Sequence, residues 1–204
     1  MIGSHNSLTY LPVRQWYYKP FKFVAKCQSK SIYEQFCDYG VRVFDIRIRF
    51  KKGEPVVAHG PIEFKCDVLD YIEQINNLAD KVFFLNQPVY VRLILESNKE
   101  MKDQSKQQLL FYEFCEYCLA NYKNIRFFGG NRKYDWEKIY LFKDDIELID
   151  KYSSTTSIFG GKKDSFIAKI DDFWPWLYAK LYNKKNYARY DGTGVLFLDF
   201  VNIK

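Results

Sequence analysis

Two apolar runs dense in β-branched residues, Val41 to Phe50 and Val89 to Leu95, constrain this chain more than any other feature of its sequence. Each is too short for a typical helix and rich in strand formers, so both predict buried strands. Further strands are expected at Val56 to Ala58, Ile125 to Phe128, Ile139 to Phe142 and Val195 to Val201, several followed by glycine or charged residues where a chain turns. Between them the spacing predicts helices over Ser31 to Asp38, over Val68 to Ile72 with Ile75 to Leu78, and over Lys106 to Tyr122. Alternation of strand and helix predicts a parallel sheet, and near-continuous apolar strands predict that helices cover it. A β/α barrel satisfies both conditions, with an open sheet as the alternative.

The 204 residues suffice for one hydrophobic core, and no repeat or low-complexity tract divides them, so residues 1–204 are expected to form a single domain. Lys151 to Asp164 reads as the longest loop. No run approaches the roughly 20 apolar residues of a membrane-spanning helix, and the N-terminus lacks a signal-peptide pattern. A soluble, unexported, cytoplasmic monomer is therefore the expectation. Five cysteines make an odd set that needs no disulfide framework. Cys115 and Cys118 have the spacing of a redox or zinc pair, but they fall on one apolar stripe with Phe111, Phe114, Leu119 and Tyr122 and are read as core thiols.

The formal charge of +6 favours anionic partners, namely phospholipid surfaces, nucleic acid or phosphorylated small molecules. No nucleic-acid motif accompanies it, so any such binding would be nonspecific. Asp171 and Asp172 are N-cap candidates for a helix whose first turn suits Pro175. Trp174 and Trp176, followed by lysines from Lys180 to Lys185, suit either a membrane interface or packing on the sheet; packing is the preferred reading.

The chain holds two histidines, each in a small, polar, turn-like context: Gly3-Ser4-His5-Asn6-Ser7 and Ala58-His59-Gly60-Pro61. Cleavage of a phosphodiester by an internal hydroxyl needs a base for the nucleophile's proton and an acid for the leaving oxygen, and two imidazoles titrate in the right range for both. Negative charge gathers on the non-bridging oxygens in the transition state, where a fixed guanidinium stabilises it. Strand alternation in Phe44-Asp45-Ile46-Arg47-Ile48-Arg49 puts Asp45, Arg47 and Arg49 on one face. Asp45 and Arg47 are assigned to a site, and Arg49, nearer the turn, to a structural contact.

Together with Gln28-Ser29, Ile32-x-x-Gln35, Gly40-Val41-Arg42-Val43-Phe44-Asp45-Ile46-Arg47 and His59-Gly60, the first histidine block resembles the catalytic X region of phosphatidylinositol-specific phospholipases C. Weaker blocks follow in the same order: Val91 to Glu96, Lys138 to Lys143 and Leu196 to Val201. The resemblance implies an irregular, trimmed TIM-type barrel with its site at the C-terminal strand ends. It implies that His5 deprotonates an inositol hydroxyl, which attacks phosphorus to form a cyclic inositol phosphate, while His59 protonates the diacylglycerol oxygen. Water then opens the cycle with the roles reversed. It further implies that Asp199 orients His5, and that Asn6, Glu96 and Lys143 contact substrate.

Calcium-dependent relatives carry an acidic residue two positions after the first strand carboxylate, whereas this chain has Asp45-Ile46-Arg47, like the metal-independent bacterial type. No cofactor or metal is therefore expected; calcium is the alternative, because Asn6 and Glu96 resemble calcium-type ligands. The implied partner is a phosphoinositide or related phosphodiester, met in transient contact with a membrane surface. A metal-dependent glycerophosphodiester phosphodiesterase and a non-catalytic phosphoinositide-binding module are the competing readings. The first lacks its carboxylate-rich metal site and His-Arg-Gly opening here, and retention of both histidines and Arg47 weighs against the second.

Overall fold

The computed structural model describes residues 1–96, 104–131, 173–192 and 195–203. Its strands are β1 (Ile2–Ser4), β2 (Val41–Lys51), β3 (Glu54–His59), β4 (Ile62–Glu63), β5 (Val89–Leu95), β6 (Ile125–Asn131) and β7 (Leu196–Leu198). Four α-helices accompany them: α1 (Ile32–Cys37), α2 (Val68–Phe83), α3 (Gln104–Asn121) and α4 (Pro175–Arg189), with a 3-10 stretch at Trp16–Val24.

Five strands run parallel in the order β7-β1-β2-β5-β6. The expectation of a purely parallel sheet is corrected at β3 and β4, which are antiparallel additions to the C-terminal half of β2. The cause is the turn Lys52-Gly53, where both residues have positive φ (55° and 89°) and Lys51 pairs with Glu54. Such a two-residue turn reverses the chain directly and needs no crossover helix. Among the described residues the sheet is open, with β6 and β7 at its ends, rather than a closed barrel. The strand expected at Ile139 to Phe142, Lys143, the loop Lys151 to Asp164 and the cap candidates Asp171 and Asp172 lie outside the described residues.

Both faces of the central strands are buried, as their apolar runs require. All seven residues of β5 are buried, and Phe44, Ile46 and Ile48 of β2 join the same core. Helix α1 starts in a capping box in which Ser31 and Glu34 satisfy each other's backbone N–H groups. In α2, Asp67 caps Leu69 N at 2.9 Å, and Val68, Ile72, Ile75, Ala79 and Val82 form the buried stripe of one continuous helix. Cys115 and Cys118 are buried with Phe111 and Phe114 on α3, in line with core thiols, and burial pushes Cys118 up to about 12. The backbone of β6 presses on β5: a Cβ at Gly129 would lie 1.8 Å from Leu93 O.

Helix α4 begins at Pro175 with Trp174 as N-cap and no side-chain cap hydrogen bond. Trp174 and Trp176 stay exposed, at 45% and 37%, which corrects the reading that they pack on the sheet; Tyr178 takes the buried position. The strand expected over Val195 to Val201 ends at Leu198, because the chain turns at Asp199 and Phe200 adopts φ 45°. No helix among the described residues is long and apolar enough to cross a membrane.

Candidate active site

The C-terminal ends of β1, β2, β5 and β7 bring polar residues together over the apolar layers. Beyond β1 the chain is pinned on both sides: His5 N donates to Leu198 O (3.0 Å) and Ser7 N to Asp45 O (2.8 Å). Asn6 between them takes φ 46°, a left-handed conformation that asparagine tolerates better than most residues. Gln28, fully buried, ties the ends of β1 and β7. Its Nε2 donates to His5 O (3.0 Å) and Leu198 O (2.8 Å), and its Oε1 accepts from Val201 N (3.2 Å). Thr9 Oγ1 accepts from Cys27 N and Gln28 N, which seats the segment that carries both.

This frame sets His5 against Asp199, with Nδ1 2.8 Å from Oδ1. The carboxylate accepts, so Nδ1 carries the proton and Nε2 presents its lone pair to the guanidinium of Arg47. Asn183 of α4 steadies the partner strand end by donating to Asp199 O at 2.8 Å. The His5 side chain is 12% exposed, enough for a ligand to reach the ring edge.

Asp45 and Arg47 share the inward face of β2, as alternation predicts. Arg47 Nε donates to Asp45 Oδ2 at 3.1 Å, and its Nη1 lies 3.9 Å from Glu96 Oε2. Asp45 also accepts from Asn6 N (3.1 Å) and faces Arg92 Nε at 3.7 Å. Burial opposes the charged carboxylate, but the Arg47 and Arg92 guanidiniums and His5 outweigh it and hold Asp45 below the usual range. Burial likewise opposes charge on Arg47, and Asp45 with Glu96 reverses that, raising its pKa further.

His59 ends β3. Its Nδ1 lies 3.0 Å from Ala25 O, so Nδ1 donates and Nε2 is the nitrogen left for chemistry. Its ring centroid stands 6.5 Å from that of His5, edge to face. Burial, joined by the charge of Arg47, pulls His59 down to about 4, so the ring is neutral near pH 7. The next residue is anchored on both sides: Gly60 N donates to Glu96 Oε1 at 3.0 Å, and Arg49 donates to Gly60 O. Arg49 thus makes the structural contact assigned to it, through a carbonyl rather than an ion pair.

The structure therefore brings together His5, Asn6, Asp45, Arg47, His59, Glu96 and Asp199; Lys143 lies outside the described residues. Two further neighbours carry at most a faint sequence signal. Cys27 sits in a segment without periodicity, yet its Sγ is 3.8 Å from His59 Nδ1 and accepts from Asn6 Nδ2 at 3.6 Å. Arg92 interrupts the apolar run of β5, and only the register Asp45↔Arg92 reveals that it faces the same carboxylate. A lone arginine in an otherwise apolar buried strand was the available hint.

The family model for the phosphatidylinositol-specific phospholipase C X domain matches residues 9–124, more than half of the chain. The match holds Asp45, Arg47, His59 and Glu96, whereas His5 and Asp199 lie outside it and are brought alongside by β1 and β7. Two solved structures of the phosphatidylinositol-specific phospholipase C from Staphylococcus aureus, a histidine-to-tyrosine mutant and a form incorporating pentafluoro-Phe, are similar at 21% identity with a TM-score of 0.49. Each is matched over 63% of this chain and 46% of its own, so the chain spans less than half the length of those structures. No curated protein matches the chain at a significant level. On the family match, the chain belongs to the phosphatidylinositol-specific phospholipase C X-domain family.

Proposed function

We propose that this chain cleaves phosphatidylinositol-type phosphodiesters without a metal, with His5 as base and His59 as acid. The observation that carries the reading is the pair of imidazoles 6.5 Å apart with the Arg47 guanidinium against the first of them. Nε2 of His5 takes the proton of the inositol hydroxyl beside the phosphate. That oxygen bonds to phosphorus, the bond to the diacylglycerol oxygen breaks, and Nε2 of His59 gives its proton to the departing oxygen. Asp199 keeps His5 in the tautomer with Nδ1–H and stabilises the imidazolium that forms.

A neutral His59 cannot act as an acid, so substrate must supply the condition for its protonation. A bound phosphodiester carries one negative charge and accepts hydrogen bonds from Arg47, offsetting the cation that depresses His59. The same anion draws Arg47 off the His5 lone pair, which frees the base. Binding and activation are thereby linked through one guanidinium.

The alternative calcium site does not fit these residues. Its donors would be Asn6, Asp45 and Glu96, but Arg47 lies between the two carboxylates, Glu96 Oε1 is taken by Gly60 N, and the Asn6 amide turns to Cys27. Coordination by six or more oxygens has no room beside a fixed guanidinium. The strand order β7-β1-β2-β5-β6, parallel throughout, is what a trimmed TIM-type barrel of one domain would show, closed between β6 and β7. Exposed Trp16, Tyr17, Phe21 and Phe23, the last packed on Trp174 at 6.2 Å, support transient seating on a lipid surface.

The test is release of water-soluble inositol phosphate from phosphatidylinositol vesicles in chelator. Wild-type turnover that falls roughly 100-fold or more in His5→Ala and in His59→Ala, with folding retained, agrees with the reading. Undiminished turnover in His59→Ala overturns the pairing.

A further inference from the structure

Cys27 has no part in the chemistry above, yet it is buried at the centre of the site. Its thiol, a ring nitrogen of His5 and a carboxylate oxygen of Asp199 lie within 4.8 Å of one another. They come from three separate parts of the chain: the ends of β1 and β7, and the segment after the 3-10 stretch. Cys27 is held there by its backbone, since its N–H donates to Thr9 Oγ1 at 2.9 Å and its carbonyl accepts from Phe200 N at 2.6 Å. The second bond joins Cys27 to the residue that follows Asp199.

We propose that His5, Cys27 and Asp199 form an inhibitory site for a thiophilic divalent cation of the zinc class. One nitrogen, one sulfur and one oxygen make a donor set suited to a borderline-soft ion, whereas calcium and magnesium take oxygen ligands. Bonds of about 2.0 to 2.3 Å require donor atoms roughly 3.5 Å apart in a tetrahedron, so the His5–Asp199 pair, now 2.8 Å apart, opens to admit the ion while the thiol, within 4.8 Å of both, closes on it by up to about 1 Å. The fourth position stays open to water or a phosphate oxygen. On binding, the thiol loses its proton to solvent, the His5 proton passes from Nδ1 to Nε2 as Arg47 withdraws from that nitrogen, and thiolate and carboxylate together balance the two positive charges. Asp45 and Glu96 already offset Arg47, so the cation does not meet an uncompensated guanidinium. An ion seated here occupies His5 and takes Asp199 from it, which removes the base and its orienting partner together.

Binding is independent of the proposed cleavage and is measured without substrate. The full chain is titrated with Cd²⁺ while the ultraviolet thiolate-to-cadmium absorption is followed, and Zn²⁺ is then used as competitor. One equivalent should bind with this absorption, and the signal should persist in Cys37→Ser and in Cys66→Ser. Cys27→Ser should abolish it and weaken zinc by roughly 100-fold, at or beyond the upper end of what outer-shell losses cost. Asp199→Asn should keep the absorption and weaken the ion. On the Cys37→Ser/Cys66→Ser background, zinc-edge X-ray absorption should show one sulfur neighbour with lighter donors, a reading that needs no change in the site. Absorption that survives Cys27→Ser, or a zinc shell without sulfur, overturns the proposal.

Discussion

Lowering the pH from 7 to 5 should weaken the folded state through His59 alone by an amount the structure allows to be worked out. Its folded-state pKa is about 4, against 6.5 without the fold, first because of burial and then because of Arg47. Between these values the unfolded chain binds more protons than the folded one, so stability is lost as pH falls through 6.5 and the loss is complete below 4. Full expression of a shift of this size is worth about 3 kcal/mol, and about 2 kcal/mol of it is felt at pH 5. Asparagine at this position can still donate to Ala25 O, which accepts from His59 at 3.0 Å, but it does not titrate. Urea unfolding of wild type and His59→Asn at both pH values isolates the effect, because every other group is common to the pair. Wild type should lose about 2 kcal/mol more than the variant. With only two histidines in the chain, imidazole NMR assigns the depressed titration directly. Equal losses in the two proteins, with the His59 ring titrating near 6.5, would refute the account of His59's environment.

Three further substitutions test other parts of the account. Arg47→Lys keeps the charge but loses the fork that reaches Asp45 and the phosphoryl oxygens, so kcat should fall roughly 100-fold while the melting temperature changes little. Gln28→Ala strips the partners from His5 O, Leu198 O and Val201 N, which should cost about 3 kcal/mol in urea unfolding and lower kcat by loosening His5 against Asp199. Gly129→Ala forces a methyl onto Leu93 O, so β5 and β6 must part and unfolding should become easier by at least about 3 kcal/mol.

The parts of this fold that were legible in the sequence are those with a local physical signature. Val41 to Phe50 and Val89 to Leu95 carry strand-forming side chains on both faces, and that reading needs no knowledge of neighbours. Alternation alone placed Asp45 and Arg47 on one face, and the turn-like settings of His5 and His59 put both at strand ends. What escaped depends on contacts distant in sequence. The antiparallel β3 follows from a two-residue turn with positive φ at a lysine, which no residue preference announces. Arg92 reaches Asp45 only through the register of β2 with β5, and Cys27 reaches His59 only because Thr9 and Phe200 hold its backbone. Aromatics at a helix start usually pack, yet Trp174 and Trp176 stay exposed and Tyr178, one turn on, fills that place.

The central claim is that a paired histidine site, with Arg47 where a metal ligand would otherwise stand, cleaves the phosphodiester by internal attack. Phosphorus NMR on phosphatidylinositol vesicles, with chelator present from the start, reads that claim at the reacting atom. The account predicts that the lipid phosphodiester signal is replaced first by that of a cyclic inositol phosphate, at a rate unchanged when calcium is added in excess of the chelator. Silence in chelator followed by cleavage on adding calcium would contradict it and make Asn6, Asp45 and Glu96 the ligands of a working metal.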